Sequence, residues 1–546
     1  MIKLTKFLII YIRLYILEIL FKLKLWLPAF EKDYDEAIEN FNKINNTYWS
    51  PISTEYPQKI LIEGHLSNYG INYLFRTATC ALAIQEKMKY NIAVVYPSLS
   101  HKWILAQKTY KSFNITASYF LGNYPLINIY FIILSKLHFF YFKKKIKKPE
   151  DIIKLKFKDI VVGDLIYDDI IKLKDLKSIE KIDNSIINSV AWSYYYYLQY
   201  NYFFSKHNFK YYVSTHSAYS EYGLLIRVAL KKNIKVIETT DIQTNYYSTI
   251  NDQELPTYHQ GIKNLIHKEF NCTNRITKSE IDDAYQKLSD RMNSKIDQID
   301  IKRAYKGKEY HKEELAHRFD FDKEKKIIFI LTHIFIDSPH TSSWMLYNDY
   351  YVWLVETLKI CSQIKDINWV VKPHPASALY KEDGVVEELI KELNASNVVL
   401  CPNDLNTRSL VNCASAIVTV HGTAGLEFAC FGVPVIITGR PFYSGYNFTI
   451  EPNSESEYIE ELKRLKYVPK LPIESVESAL QILTIWNKQF DWYNPIITTE
   501  VLSNVWGSDK EPDPYKAYEI VTDNIKNNNP RDLKMWELTK YYISND

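Results

Sequence analysis

Short, continuous apolar runs alternate along this chain with longer stretches in which apolar positions recur every three or four residues. The first run, KILIEG at 59–64, leads through HLSNYG into a helical pattern carrying Leu74, Ala78, Ala81 and Leu82. The unit recurs in KYYVSTHSAYSEYGLLIRVALKKNIKVIETT, where Tyr211–Ser214 reads as a strand, 223–230 as a helix and Lys235–Thr239 as the next strand. A second series opens with the strand KIIFILTH. It continues through helix YYVWLVETLKIC, strand NWVVKPHP, helix VVEELIKEL, strands NVVLCP and AIVTV, helix GLEFACFG and strand VPVIITG. Runs that are apolar throughout and separated by helices predict parallel sheets covered on both faces. The pattern therefore predicts an α/β protein with two doubly wound Rossmann-type domains facing a central cleft.

The breaks in the pattern set the expected boundaries. Residues 1–50 form an N-terminal segment, 51–275 the first Rossmann-like domain and 276–325 a charged helical linker without a strong apolar run. Residues 326–510 form the second Rossmann-like domain and 511–546 a helical tail that the sequence assigns to neither. The opening stretch, MIKLTKFLIIYIRLYILEILFKLKLWLPAF, is interrupted by Arg13 and Glu18, so it falls short of a clean spanning helix. Its charged residues gather on about half of a helical wheel, as in a helix lying in a membrane interface. The run YPLINIYFIILSKLHFFYFKKKIKK is a second candidate, with lysines at 143–148 placed to meet anionic headgroups.

Length and composition fit this picture. At 546 residues the chain exceeds what one core normally organises, and 47% hydrophobic and 24% charged residues are those of a folded globular protein. A net charge of only +3 gives no global basic field, which argues against nucleic acid as a partner. The six cysteines, Cys80, Cys272, Cys361, Cys401, Cys413 and Cys430, show no CxxC pair and no metal-type spacing, so a reducing, cytoplasmic setting is expected.

Ligands of doubly wound sheets bind beyond the carboxyl ends of strands, and polar residues cluster there. In the first domain Glu63, His65, His216, Glu221 and Asp241 each follow a predicted strand closely enough to accept a proton from a bound hydroxyl. Asp337 and His340 are expected to face the same cleft from the second domain. After AIVTV come His421, Gly422, Thr423, Ala424 and Gly425, small residues that open a helix to an anion, with Glu427 placed to bind ribose hydroxyls. Alternatively this is an ordinary turn with Thr423 as its N-cap. In VVKPHP, two prolines restrict the backbone around His374, and Lys372 adds a charge suited to phosphate. Arg440 could neutralise a departing phosphate. Two acidic pairs, Asp33 with Asp35 and Asp168 with Asp169, have the form of metal-binding motifs, but neither lies where a metal-dependent layout would put it.

Taken together, KPHP, HGTAGLEFACFGVPVI and GRPFYSGYNFT resemble the bacterial capsule-polysaccharide synthesis proteins, a group that includes the Kdo transferases of capsule assembly. The resemblance is specific over 369–449. It is weaker in GDLIYDD, HSAYSEYGLLIRVAL and HIFIDSPHTSS. It implies a GT-B-like fold and a donor nucleotide held by a histidine–proline motif, matched by His374 and Pro375, and by a later pair of small hydroxyl residues, half-matched by Thr423. Gly422 stands where a serine is expected. GRPFYSGYNFT, which contains Tyr443, carries Tyr446 and Asn447 where the similar segment has tryptophan and glycine.

What the resemblance implies is a glycosyltransferase moving a sugar from a nucleotide donor, a CMP-sugar such as CMP-Kdo being favoured, to a growing glycan or lipid-linked glycan. It would work at the inner face of the cytoplasmic membrane, alongside other polysaccharide-assembly proteins, without metal or cofactor. Two alternatives stay open: a sugar-nucleotide epimerase, and a non-catalytic carbohydrate-binding component of a capsule complex.

Overall fold

In the computed structural model, residues 32–49, 56–64, 70–96, 101–240, 243–251, 254–271, 276–295, 303–342, 344–489, 494–507 and 511–544 are described. The expected N-terminal amphipathic helix lies outside them. Thirteen strands follow in chain order: β1 (Lys59–Glu63), β2 (Asn91–Tyr96), β3 (Ala117–Phe120), β4 (Lys156–Phe157), β5 (Ile160–Val161), β6 (Tyr211–Ser214), β7 (Lys235–Thr239), β8 (Thr244–Tyr247), β9 (Lys326–Leu331), β10 (Ile367–Lys372), β11 (Val398–Leu400), β12 (Ala416–Thr419) and β13 (Val435–Ile437). Two large sheets result, β3-β2-β1-β6-β7-β8 and β11-β10-β9-β12-β13, parallel except for the edge strand β8. In each, the first strand of the domain pairs with both the second and the fourth. The connections therefore reverse direction between β1 and β6 and again between β9 and β12, and these are the two switch points of a Rossmann-type pair.

Strand alternation divides the cores. Ile60, Ile62 and Val213 point to one face of the first sheet while Leu61, Tyr212 and Val236 point to the other. In the second sheet Ile328, Trp369 and Val418 face away from Ile327, Val370 and Ile417. The central strands β1, β6, β9, β10 and β12 are buried on both faces, which is why they read as unbroken apolar runs, whereas the edge strand β3 is only part-buried. The five described cysteines are buried within these cores.

Two segments sit differently from expectation. The 276–325 stretch is no free linker: Ala284, Leu288, Met292, Tyr305, Tyr310 and Leu315 belong to a core of the second domain. Helix Lys278–Met292 has too few apolar residues to stand out as a run, yet spaces them four apart (Ala284, Leu288, Met292), which is enough to bury one side. The chain also crosses back earlier than 510. Ile496, Val501 and Val505 already lie in the first domain's core, joined by Tyr518, Ile525, Trp536 and Ile543 of the tail helices Pro514–Asn527 and Lys534–Ser544.

The domains meet along helix Gly163–Lys174. Asp164 turns inward, where Arg227 donates to both its oxygens at 2.6 and 2.5 Å and also to Val161 O at 2.9 Å. Arg227 thus serves the structure of the first domain. Burial alone would raise the Asp164 pKa, but the guanidinium holds it below the usual carboxylate value. Replacing Arg227 with leucine would leave a buried carboxylate without its counter-charge. Loss of about 3–5 kcal/mol is expected, measured as a fall in the denaturant midpoint, while R227K should retain part of the stability.

Candidate active site

The carboxyl end of β1 and that of β6 are joined through Glu63. Its carboxylate accepts from Ser214 Oγ at 2.7 Å, Thr215 N at 2.9 Å and Thr215 Oγ1 at 3.0 Å, directly across the first switch point. Burial drives the Glu63 pKa up to about 7 against these donors, with the Glu221 charge adding to the rise. Asp169 is likewise pushed to about 7 by burial, although Ser220 N donates to it at 3.1 Å.

Glu221 differs from both. It lies in the π-helical turn Tyr219–Gly223, its side chain reaches solvent, and its pKa is raised by loss of hydration among the surrounding groups. A side chain that touches water yet is crowded enough to lose solvation sits in a cleft. The turn is strained: Tyr219 has φ of +61°, a left-handed value that is uncommon for an aromatic residue. It is fixed by Tyr200, which donates to Glu221 O at 3.1 Å, and by Ser220 at Asp169. Beside it the His216 ring stacks on Tyr222, and His216 Nδ1 accepts from Ala218 N at 3.1 Å. Glu63, His216 and Glu221 are thus neighbours around one switch point, whereas His65 and Asp241 lie outside the described residues.

The second switch point is built from imidazoles. His333, one residue past Thr332 at the end of β9, uses Nε2 to accept from Val420 N at 3.3 Å and contacts Thr419 Oγ1 at 3.1 Å. Its ring stacks on Tyr350 at 4.3 Å between centroids. Sequence reasoning passed over His333; the only signal was its place at a strand end. At β10, Thr332 Oγ1 accepts from His374 N at 3.0 Å, and His374 Nδ1 accepts from Ala376 N at 3.2 Å. That leaves Nε2 as the proton-bearing nitrogen of a neutral His374 ring. Lys372, His374, Gly422 and Thr423 are all half-buried and Pro375 is exposed, so this loop pair is open to a ligand.

Other residues expected to touch a donor are buried supports. His421 is pushed down to about pKa 4 by burial, and its Nε2 lies 3.2 Å from Pro339 O and 3.0 Å from Tyr350 Oη. Tyr443 is fully buried and donates to Gly422 O at 2.5 Å. A Cβ on Gly425 would come 2.2 Å from that Tyr443 oxygen, so Gly425 is dictated by packing. Glu427 pairs with Arg291 at 3.3 Å and accepts from Tyr305 Oη at 3.1 Å, which commits it to the 276–325 segment and not to a ribose. The helix after Thr423 spans only Ala424–Ala429, and Thr423 makes no side-chain cap bond. Arg440 stacks on Trp344 at 4.3 Å, donates to Asn453 Oδ1 at 2.5 Å and lies 4.0 Å from Glu451.

Asp337 and His340 both reach the first domain, Asp337 with its side chain 44% exposed and His340 with its side chain 8% exposed. Asp168 Oδ1 lies 2.6 Å from His340 Nδ1, and its second oxygen accepts from His340 N at 3.2 Å. Burial would lower the His340 pKa, but the Asp168 charge raises it. Asp337 accepts from Lys172 Nζ at 3.3 Å and Tyr219 Oη at 3.2 Å on one side, and from Tyr380 Oη at 3.5 Å on the other. Tyr219 belongs to the Glu221 turn and Tyr380 to the loop that follows His374, so segments beside both switch points contact Asp337. Asp168 and Asp169 point to different partners. Among the described residues no three His, Cys, Asp or Glu side chains group as metal ligands.

Residues 226–469 match the family model for capsule polysaccharide biosynthesis proteins, a stretch that contains the whole of 369–449. No curated protein sequence matches the chain. Among solved structures, the KpsC β-Kdo 2,4 transferase of Thermosulfurimonas dismutans is similar at 15% identity and TM-score 0.32, over 50% of this chain and 79% of that one. The UDP-GlcNAc 2-epimerase of Neisseria meningitidis is similar at 13% identity and TM-score 0.23, over 86% and 100%. The O-GlcNAc transferase of Thermobaculum terrenum gives 9% identity and TM-score 0.25, over 94% and 76%.

A carboxyl with a raised folded pKa contributes stability that is complete below its unfolded value and disappears as pH rises through the folded one. For Glu63 that window runs from the ordinary glutamate value of 4.5 to about 7. The thermal midpoint should fall across this range, and E63Q should flatten the slope; an unchanged slope would place Glu63 at an ordinary pKa.

Proposed function

We propose that the protein is a glycosyltransferase of bacterial surface-polysaccharide assembly. The donor nucleotide would lie on the loops after β9, β10 and β12, and the acceptor over the first domain. The reading is carried by one observation: two switch points, one lined by carboxyls of raised pKa and the other by lysine and imidazole donors, are each flanked by a segment that contacts Asp337. The family match over 226–469 supports it.

In this reading Glu221 takes the proton from the acceptor hydroxyl as the new glycosidic bond forms. The bond from the anomeric carbon to the donor phosphate breaks, and the nucleotide leaves with that electron pair. His374 Nε2–H and Lys372 Nζ stabilise the charge that develops on the phosphate oxygens. Glu63 and Asp169, whose oxygens are engaged inside the protein, hold the Glu221 turn in place. Arg440, already shared with Glu451, borders the site. A CMP-sugar is the favoured donor because the His374–Pro375 motif resembles that of CMP-sugar-dependent transferases. The mechanism as drawn uses no metal.

The test is nucleotide release from a panel of CMP-, UDP- and GDP-sugars, with and without acceptor glycan. Acceptor-dependent release that survives EDTA is expected. Release or isomerisation without acceptor would point to the epimerase. E221Q and H374A should each lower turnover by about 10²-fold or more, the usual scale for a general base or a charge-stabilising donor; near-normal turnover in both would refute the site.

Gly422 offers a sharper probe of the donor. A Cβ there would meet nothing closer than 3.5 Å, the His333 ring, so G422S should fold normally. If the site takes a CMP-sugar, the added hydroxyl should lower the donor KM while leaving the thermal midpoint unchanged.

A further inference from the structure

Helix Pro125–Lys145 is apolar around its whole circumference, yet only one side of it is covered. Asn128, Phe131, Ile132, Ser135 and Phe142 turn inward, and the helix lies along Asn184–Lys206. On the outside, Leu126 is 80% exposed, Leu137 62% and Phe140 72%, with Tyr130, Ile133 and Tyr141 between them. Leu126, Tyr130, Ile133, Leu137 and Phe140 recur three or four apart, and Tyr141 lies four past Leu137, so the six form one stripe along the helix. A patch of this kind on a folded protein marks a surface that something else covers.

Charge identifies the occupant. The same spacing carries the stripe into Lys144 and Lys145, and Lys143, Lys147 and Lys148 are exposed beside them. The acidic residues near this cluster are already engaged. Asp151 accepts from the backbone N–H groups of Lys147 and Lys148, and Glu150 accepts from Asn348 Nδ2 and lies 3.9 Å from Lys148 Nζ. An apolar stripe with aromatic residues and a lysine cluster at one end matches a bilayer surface, with hydrocarbon beneath and anionic headgroups at the edge. By length and composition the helix could cross a membrane. Its packed side rules out that placement, because crossing would strip Phe131, Ile132 and Phe142 from the domain.

We propose that the outer side of helix Pro125–Lys145, with the lysines at 143–148, docks the protein flat onto an anionic membrane surface. This rests on the surface alone and is independent of the reading of the cleft.

Flotation of the full chain with phosphatidylglycerol–phosphatidylcholine vesicles, and with phosphatidylcholine alone, tests it. Two variants accompany the wild type: L137E/F140E, and glutamine at 143, 144, 145, 147 and 148. All the changed side chains are exposed, so unchanged circular dichroism and thermal midpoint are expected. The wild type should float with the anionic vesicles and far less with the neutral ones, and each variant should lose partition by about tenfold or more. The proposal is overturned if the wild type stays in the soluble fraction or if both variants float as it does. It is equally overturned if L137E/F140E instead converts a dimer to monomers with vesicle binding intact, since the stripe would then belong to a second copy of the chain.

Discussion

The architecture depends on how one twelve-residue helix, Gly163–Lys174, spends its polar side chains. Asp164, Asp168 and Lys172 recur every four residues and so fall on one stripe, but each meets a different partner. Asp164 is locked to Arg227 within its own domain, Asp168 to His340 across the interface, and Lys172 to Asp337. From the adjoining side Tyr167 donates to Asp349 Oδ2 at 2.5 Å, and Asp169 receives the Ser220 N–H of the strained turn. The orientation of the two sheets and the position of Glu221 are therefore set by the same helix. The two buried pairs, Asp164–Arg227 and Asp168–His340, gain little net stability over apolar contacts, because desolvation offsets much of the attraction; what they add is geometric specificity, whereas Lys172–Asp337 is a partly exposed contact. Here that specificity fixes which strand ends face each other.

The two switch points are electrostatically opposite. On the first domain, burial keeps carboxyl protons on Glu63 and Asp169 to about pH 7, which spares the site a dense negative charge while leaving Glu221 nearest to solvent. On the second, burial lowers the pKa of His259, His333 and His421, so these rings are neutral at pH 7. They act as oriented hydrogen-bonding groups and not as charges. Fixed positive charge at that end comes from Lys372 and Arg440, and the latter is tempered by Glu451.

Strands were legible because burial on both faces leaves an unbroken apolar signature, and the strand β6, the strand β7 and the helix Val385–Leu393 match the sequence reading to the residue. Glu63, His216 and His374 likewise lie at or just past strand ends, as their positions in the sequence predict. What the sequence hid was direction. Glu427, Tyr443 and His421 sit in the right loops, but a residue one position along a tight turn reverses from ligand-facing to core-facing, and nothing local marks which way it goes. Asp168 illustrates the same limit: beside Asp169 it has the look of a metal motif, whereas successive helix positions lie about 100° apart and aim the two carboxyls at different partners. The 276–325 segment was misread because its few apolar residues are spaced for one helix face and never form a run.

The departures from the capsule-transferase pattern divide into two physical kinds. Asn447 stands where the similar segment has glycine, and its φ of +62° preserves the left-handed backbone that a glycine would supply; asparagine is among the few residues to tolerate that conformation. Tyr446 keeps an aromatic ring in place of tryptophan, packed at 4.9 Å against Phe270. Both changes leave the loop's shape intact. Gly422 is of the other kind. Gly422 lies in the loop after β12, a different loop from that of Tyr446 and Asn447, which follow β13. Its surroundings would admit a side chain, and no positive φ demands glycine, so the missing serine hydroxyl has no steric explanation.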